Sequence, residues 1–355
     1  MRKYNFLKSF LILLILALIF YSVIGKLAGF QDIKLVFQKI SPVFLFLALI
    51  AWLLTYNACG LKLKFILETQ GYKIKFLELL KFGALGAFAI HFLPVGNFGE
   101  SALIFYLLGE KGIKSTSSLA LFLIRLIFDY LAFFLLFSIA LISLPVHPSL
   151  NFLTKLLFGI ILIALISGII YLQYTLQRPQ KFIKIAKPIL KNLKKTLNFL
   201  KNNYEEESES YIENLTQELY QEILKVVKIK RALVWLFIAC LLYWSLDALV
   251  LYFSLVGLGL ALGFNAVFFS YAISMLLGIA SFLPAGIGAL EGSLILLLRS
   301  FSLDTTLAAF SVLNYRFISL WLAISVGLVA FYSLLKNNKG FPQVFLKDSA
   351  KIENK

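Results

Sequence analysis

The chain has 355 residues, 60% of them hydrophobic, with a mean hydropathy of +0.88 and only 15% charged residues, which excludes a soluble domain and marks a polytopic membrane protein. Its 34 Lys and Arg against 18 Asp and Glu give a net charge of +16, but the cations sit mainly between apolar spans, so membrane topology rather than nucleic acid accounts for them. Cys59 and Cys240 lie inside apolar segments and only two histidines occur, so neither a disulfide framework nor a metal site or other cofactor is expected.

The first apolar span, about 6–24, follows Arg2, Lys3 and Lys8 like a signal peptide but lacks the usual small-residue cleavage site, so an uncleaved helix is expected. Further full-length spans run at about 43–61, 117–144, 152–174, 232–256 and 305–335; each can cross a hydrocarbon core that needs roughly 20 helical residues. Between them lie two double segments, 76–93 with 99–108 and 265–283 with 287–298, whose second arms are short for a crossing. They read as re-entrant helical hairpins with Pro and Gly at the tips, the alternative being two ordinary crossings joined by a turn. The expected fold is thus an all-α polytopic membrane protein of about six full transmembrane helices plus two re-entrant hairpins in an inverted repeat. Its parts are a first helix and loop (1–41), a first repeat with its hairpin at 76–108 and an added helix (42–174), an insert (175–230), a second repeat with its hairpin at 265–298 (231–335) and a tail (336–355).

Lys62, Lys64, Lys73, Lys75 and Lys81 follow the second span, Lys111 and Lys114 the first hairpin, and Lys336 and Lys339 the last span. With both hairpins re-entrant they fall on one side together with Arg2, Lys3 and Lys8, which predicts an inner-membrane protein with both termini cytoplasmic. Lys26, Lys34 and Lys39 in the first outer loop are the exception. The insert begins with a basic amphipathic helix, its apolar stripe of Phe182, Ile185, Ile189, Leu193, Leu197 and Leu200 surrounded by six lysines from Lys181 to Lys195. A second helix follows, acidic at its start and basic near its end at Lys225, Lys228 and Lys230. A cytoplasmic two-helix hairpin is the expectation, with a membrane-surface helix as the alternative.

The chemistry concentrates at the two breaks. Phe92-Leu93-Pro94-Val95-Gly96 runs past Asn97 and Gly99 to Glu100, with Arg125 twenty-five residues on; Phe282-Leu283-Pro284-Ala285-Gly286 runs past Gly288 to Glu291, with Arg316 again twenty-five residues on. Irregular backbone at membrane depth survives only when buried in protein or lining a wet cavity, and paired breaks in two halves are the best sequence pointer to a transporter's site. Each glutamate near the start of a second arm gains from the helix dipole, and each is also placed to pair with its arginine. Arg125 and Asp129 share one helix face, either as a structural ion pair or as an anion-binding arginine with Asp129 orienting it. Arginine matches phosphate bidentately, so Arg125 and Arg316, with Asn97 and Asn314 adding neutral hydrogen bonds, are the candidate headgroup ligands, and Glu100, Glu291 and Asp129 the gating or pairing residues. Asp247, amid Tyr243, Trp244 and Tyr252, is a candidate proton carrier, and His91 beside the first break reads as a packed core histidine. No hydrolytic triad, phosphate-binding glycine loop or Asp-rich glycosyltransferase signature occurs, so an enzyme is not expected.

At Pro94 through Gly99-Glu100, at Arg125 with Asp129, and at Pro284 through Gly286, Gly288 and Glu291, the chain resembles a flippase-like membrane protein family related to the transmembrane region of lysylphosphatidylglycerol synthase. Leu103 stands where that family commonly has an arginine, and Ala285 where it has a glycine in its last motif. The resemblance implies a protein that moves or handles an anionic lipid, such as an aminoacylated phospholipid or a polyprenyl-linked sugar. It does not imply lipid synthesis, which in the bifunctional relatives belongs to a separate soluble domain. The expected function is therefore that of a lipid flippase or scramblase with membrane lipids as partners. A non-transporting partner of an envelope lipid or glycan biosynthetic enzyme, and a proton-coupled small-solute transporter, are the rival readings.

Overall fold

The computed structural model describes residues 40–92, 104–105, 107–144, 159–160, 163, 167–168, 171, 174–200, 209–281 and 283–337. The span expected at 6–24, most of the one at 152–174, most of the tail, and the first break with Pro94, Gly96, Asn97, Gly99 and Glu100 lie outside these residues. The regular elements are helices: α1 (Pro42–Thr69), α2 (Phe76–Phe92), α3 (Ser115–Ser143), α4 (Pro179–Leu200), α5 (Glu209–Lys228), α6 (Lys230–Val256), α7 (Phe264–Ala280), α8 (Ala289–Ser300), α9 (Thr305–Arg316) and α10 (Ala323–Asn337). A 3-10 turn at Pro284–Gly286 precedes α8, and a π-helical stretch, Phe317–Leu322, carries α9 into α10.

Among the described residues four helical stretches are long and apolar enough to cross a membrane: Pro42–Thr69, Ser115–Ser143, Lys230–Val256 and Thr305–Ala330. The 28 residues of α1 reach about 42 Å, whereas the 12 of α8 reach about 18 Å, short of a hydrocarbon core of roughly 30 Å. α1 is apolar around its circumference, with Val43, Phe46 and Leu53 exposed and Ala48, Ala51 and Ala58 buried. Small residues let membrane helices approach closely. Ala48 and Ala51 of α1 accordingly share one core with Ala248 of α6, the helix against which α1 packs most extensively.

The ends of the helices fix their directions. The Ser41 N–H ahead of α1 donates to the Gly257 carbonyl after α6 at 2.8 Å, so α1 and α6 run antiparallel. At the opposite ends, Gln70 after α1 and Ser117 in the first turn of α3 both bond Glu222 of α5, just before α6 begins. The chain between α1 and α3 therefore leaves one face and returns to it. On the other face, Leu258 after α6 packs with Phe310 of α9 and with Ile40, so α7 and α8 leave and return there. The packing between halves is reciprocal: α10 lies against α2, and α7 against α3, while the Pro284–Gly286 turn touches both α2 and α7.

Two expectations change here. Lys62, grouped above with the loop lysines, is only 1% exposed, because α1 continues seven residues beyond it and carries it into the bundle. The last span, expected as one helix, is interrupted by the π stretch immediately after Arg316. The insert is a helical hairpin, with Phe182 of α4 against the Tyr220 ring of α5 at 5.1 Å. The Tyr220 hydroxyl donates to the Leu176 carbonyl at 2.8 Å, and α5 sits on α3.

Candidate functional site

The second break folds back on itself through three residues of positive φ: Ala285 at 54°, Gly286 at 62° and Gly288 at 92°. Glycine adopts this region without strain and alanine does so at a cost, so Ala285 is a strained position of the turn. Gly286 allows a close approach, since a Cβ there would lie 3.0 Å from the Gly278 Cα of α7. The turn leaves backbone groups without helical partners in the bundle, and two charged side chains answer them. Glu291, in the first turn of α8, accepts the Gly288 N–H on Oε2 at 2.7 Å. Its Oε1 accepts Arg316 Nε at 2.7 Å, and Arg316 Nη2 donates to the Ala285 carbonyl at 2.7 Å.

The pair is sealed, with Glu291 0% and Arg316 2% exposed. A charge placed centrally in a membrane helix costs about 2.5–3.5 kcal/mol even on lenient scales, so the opposite charge and the carbonyl are what make the arginine tolerable there. The guanidinium fork links the end of α9, the tip and the start of α8, a geometry that a lysine's point charge does not reproduce. Glu291 and Arg316, twenty-five residues apart in sequence, are thus brought together, with Pro284, Gly286 and Gly288 forming the turn beside them.

Asp247 of α6 accepts the Tyr271 hydroxyl of α7 at 2.5 Å and the Tyr315 hydroxyl of α9 at 3.2 Å, both on Oδ2. Its hydrogen-bond partners are therefore two buried tyrosines that lie far from it in sequence. No local pattern signals them, because both come from other helices and aromatic residues make up 15% of the chain. Asn314 does not reach the guanidinium: it precedes Arg316 by two residues, about 200° around the helix, and its amide donates to Ser254 Oγ at 3.1 Å.

The first half holds a different ionic cluster. Arg125 Nε lies 3.4 Å from Asp129 Oδ2, one turn along α3, but the shorter bond to Asp129 comes from Lys62 Nζ, at 2.9 Å to Oδ1. The Lys62 ammonium also sits 3.7 Å from the centre of the Tyr243 ring, and Trp244 Nε1 donates to the Asp129 backbone carbonyl at 3.0 Å. Arg125 and Asp129 keep 12% and 17% exposure, so this cluster is more open than the Glu291–Arg316 pair. Lys62 was legible only through the apolar run Phe65-Ile66-Leu67 beyond it, which prolongs the helix. Among the described residues, no group of three or more His, Cys, Asp and Glu side chains is placed to hold a metal.

Helical spans with charges buried between apolar faces and a broken segment capped by an ion pair define an all-helical, multi-pass membrane protein. The family model described as the lysylphosphatidylglycerol synthase TM region matches residues 7–327, and the chain belongs to that family. It is similar to a UPF0104 membrane protein of Methanocaldococcus jannaschii, 27% identical over 334 residues that cover 93% of this chain and 96% of the relative. It is also similar to a UPF0104 membrane protein of Methanothermobacter thermautotrophicus, 28% identical over 278 residues, 76% of this chain and 77% of the relative.

Proposed function

We propose that the protein is a lipid flippase or scramblase that binds and moves an anionic headgroup, of a phospholipid or a polyprenyl-linked lipid, between the tips of two re-entrant hairpins in inverted halves. The observation that carries this reading is the fork of Arg316 between Glu291 and the Ala285 carbonyl at a broken helix. A phosphate offers the guanidinium the same bidentate partner as the carboxylate, so an arriving headgroup competes with Glu291 for Arg316. Glu291 released in this way retains its bond to the Gly288 N–H and the favourable helix start, which limits the cost of opening. Arg125 plays the corresponding part in the first half with Glu100 as its gate, and Asp129 orients it. The hairpins begin and end on opposite faces, which suits access from two sides. The acyl chains remain in lipid throughout and no bond is made or broken, so the role is not enzymatic.

The test is translocation of labelled anionic and aminoacylated lipids in liposomes containing the purified protein. The expected result is movement that is lost in both Arg125→Ala and Arg316→Ala; undiminished movement in those variants refutes the mechanism. A second reading, a proton-coupled solute carrier, is favoured by one observation: Asp247 is bridged to α7 and α9 through tyrosine hydroxyls. Solute-dependent proton flux abolished by Asp247→Asn, without lipid movement, would select it.

A further inference from the structure

We propose that α4 is a lipid-contacting surface helix, docking one edge of its apolar stripe onto the anionic headgroup region of the protein's own bilayer. α4 carries Lys181, Lys184, Lys187, Lys191, Lys194 and Lys195 and no acidic residue. Its stripe divides between two surroundings. Phe182 and Leu190 are buried within the hairpin, with Phe182 against Tyr220, whereas Ile185 and Ile189 are 38% and 54% exposed.

The charges divide in the same way. Lys187 and Lys191 turn to Glu213 and Glu209 of α5, at 3.1 and 3.7 Å, so the acidic residues of the hairpin neutralise the edge facing α5. Lys181, one helical turn before Ile185, and Lys184 beside it border the exposed isoleucines. Lys181 meets the Tyr174 hydroxyl at 2.8 Å, which fixes its stem at the start of the helix. An apolar edge bordered by lysines is the pattern of a helix lying in a bilayer interface, its isoleucines among acyl carbons and its lysine stems reaching up to phosphate.

The placement of the hairpin selects lipid over a soluble acidic protein. Glu222 of α5 accepts Ser117 Oγ in the first turn of α3 at 3.0 Å and the side chain of Gln70 beyond the end of α1 on its backbone carbonyl. α5 is thereby anchored where membrane-crossing helices end, and α4, packed on α5, lies about one helix diameter (roughly 10 Å) away. Basic residues this close to a membrane are drawn to anionic lipid within a Debye length. This inference does not depend on lipid translocation.

The experiment places an environment-sensitive fluorophore at Ile185→Cys, Ile189→Cys or Gln180→Cys of the full chain, with Cys59 and Cys240 replaced by Ala. The proteins are reconstituted in phosphatidylcholine vesicles with or without phosphatidylglycerol, each carrying nitroxide-labelled lipid. Quenching at positions 185 and 189 is expected to exceed that at 180, about 160° away around the helix, by roughly twofold or more. The excess should occur in the anionic vesicles and fall when phosphatidylglycerol is omitted or when Lys181 and Lys184 are changed to Gln. Equal quenching at the three positions, none in anionic vesicles, or protection that tracks protein density (a second copy as the occupant) would overturn the proposal. The unmodified protein gives a second readout: trypsin should cut after Lys181 and Lys184 several-fold more slowly in anionic than in neutral vesicles. Equal rates would overturn the proposal too.

Discussion

Removing Glu291 or Arg316 singly breaks a buried ion pair, which costs about 3–5 kcal/mol for a pair this enclosed. Glu291→Ala also orphans the Gly288 N–H at the start of α8, about 1 kcal/mol more, and Arg316→Ala strands the Ala285 carbonyl, about 1–3 kcal/mol. The double variant removes both charges together, so its cost should fall about 2–3 kcal/mol short of the sum of the singles. With roughly 2–4 °C of melting temperature per kcal/mol, each single variant should melt roughly 6 °C or more below the parent, and the loss in the double should fall roughly 4 °C or more short of the two single losses added together. Thermal loss of monodisperse protein in detergent measures all three against Asn314→Ala. That control, two residues from Arg316, forgoes only the bond to Ser254, about 1 kcal/mol. Single variants within about 2 °C of the parent, or strict additivity in the double, would refute the assignment of Glu291 and Arg316 as a coupled, buried lock.

Lys62→Met should cost less, about 1–3 kcal/mol, because Asp129 loses its shorter bond but keeps Arg125 at 3.4 Å; a loss well above about 3 kcal/mol in the same melting assay would show that Arg125 does not compensate the carboxylate. Gly286→Ala should cost more than about 1 kcal/mol, because φ is +62° and the new methyl meets the Gly278 Cα at 3.0 Å; an unchanged melting temperature would show that the tip relaxes freely. Arg316→Lys keeps the charge but loses the fork, so the proposed lipid movement in liposomes should stay near the level of Arg316→Ala, and full activity would show that charge alone suffices.

The four candidate crossing helices among the described residues were legible from composition because each is apolar over more than the membrane's thickness, although loop charge placed the end of α1 too early. The Glu291–Arg316 contact was legible because two short motifs share a spacing of twenty-five residues, and a charge in an apolar segment needs a partner. Lys62 misled: following an apolar span, it reads as a loop cation, although the apolar run beyond it prolongs α1 and packing against Asp129 and Tyr243 makes it a core residue. Tyr271 and Tyr315 could not be singled out among many aromatics, since their role comes from converging on Asp247 from two other helices. Asn314, expected to add a neutral hydrogen bond beside Arg316, lies two residues before it, nearly on the opposite helix face, and bonds Ser254 instead.

The bonds around Arg316 constrain which part of the second half can move on the proposed reading. Tyr315 and Arg316 are consecutive at the end of α9, about 100° apart, and hold different partners, Asp247 on α6 and the Glu291–Ala285 corner. Rotating α9 would break both sets of bonds at once. Lifting the tip and the start of α8 would break those to Arg316 while leaving the Tyr315 bond to Asp247 in place, and the bonds to Arg316 are ones a phosphate can replace. α7 is restrained separately, because Tyr271 ties it to the same Asp247 oxygen. The π stretch Phe317–Leu322 then lies in the right place to take up local change, between an anchored α9 and an α10 packed on α2 in the other half. The economical opening is therefore a movement of the Pro284–Gly286 turn and the first turn of α8 against a fixed frame of α6, α7 and α9. Asp247→Asn, which keeps an acceptor for both tyrosines, should leave that frame and lipid movement intact, whereas Asp247→Ala should loosen it and slow movement. Equal activity in the two variants, measured in the liposome assay, would place the restraint elsewhere.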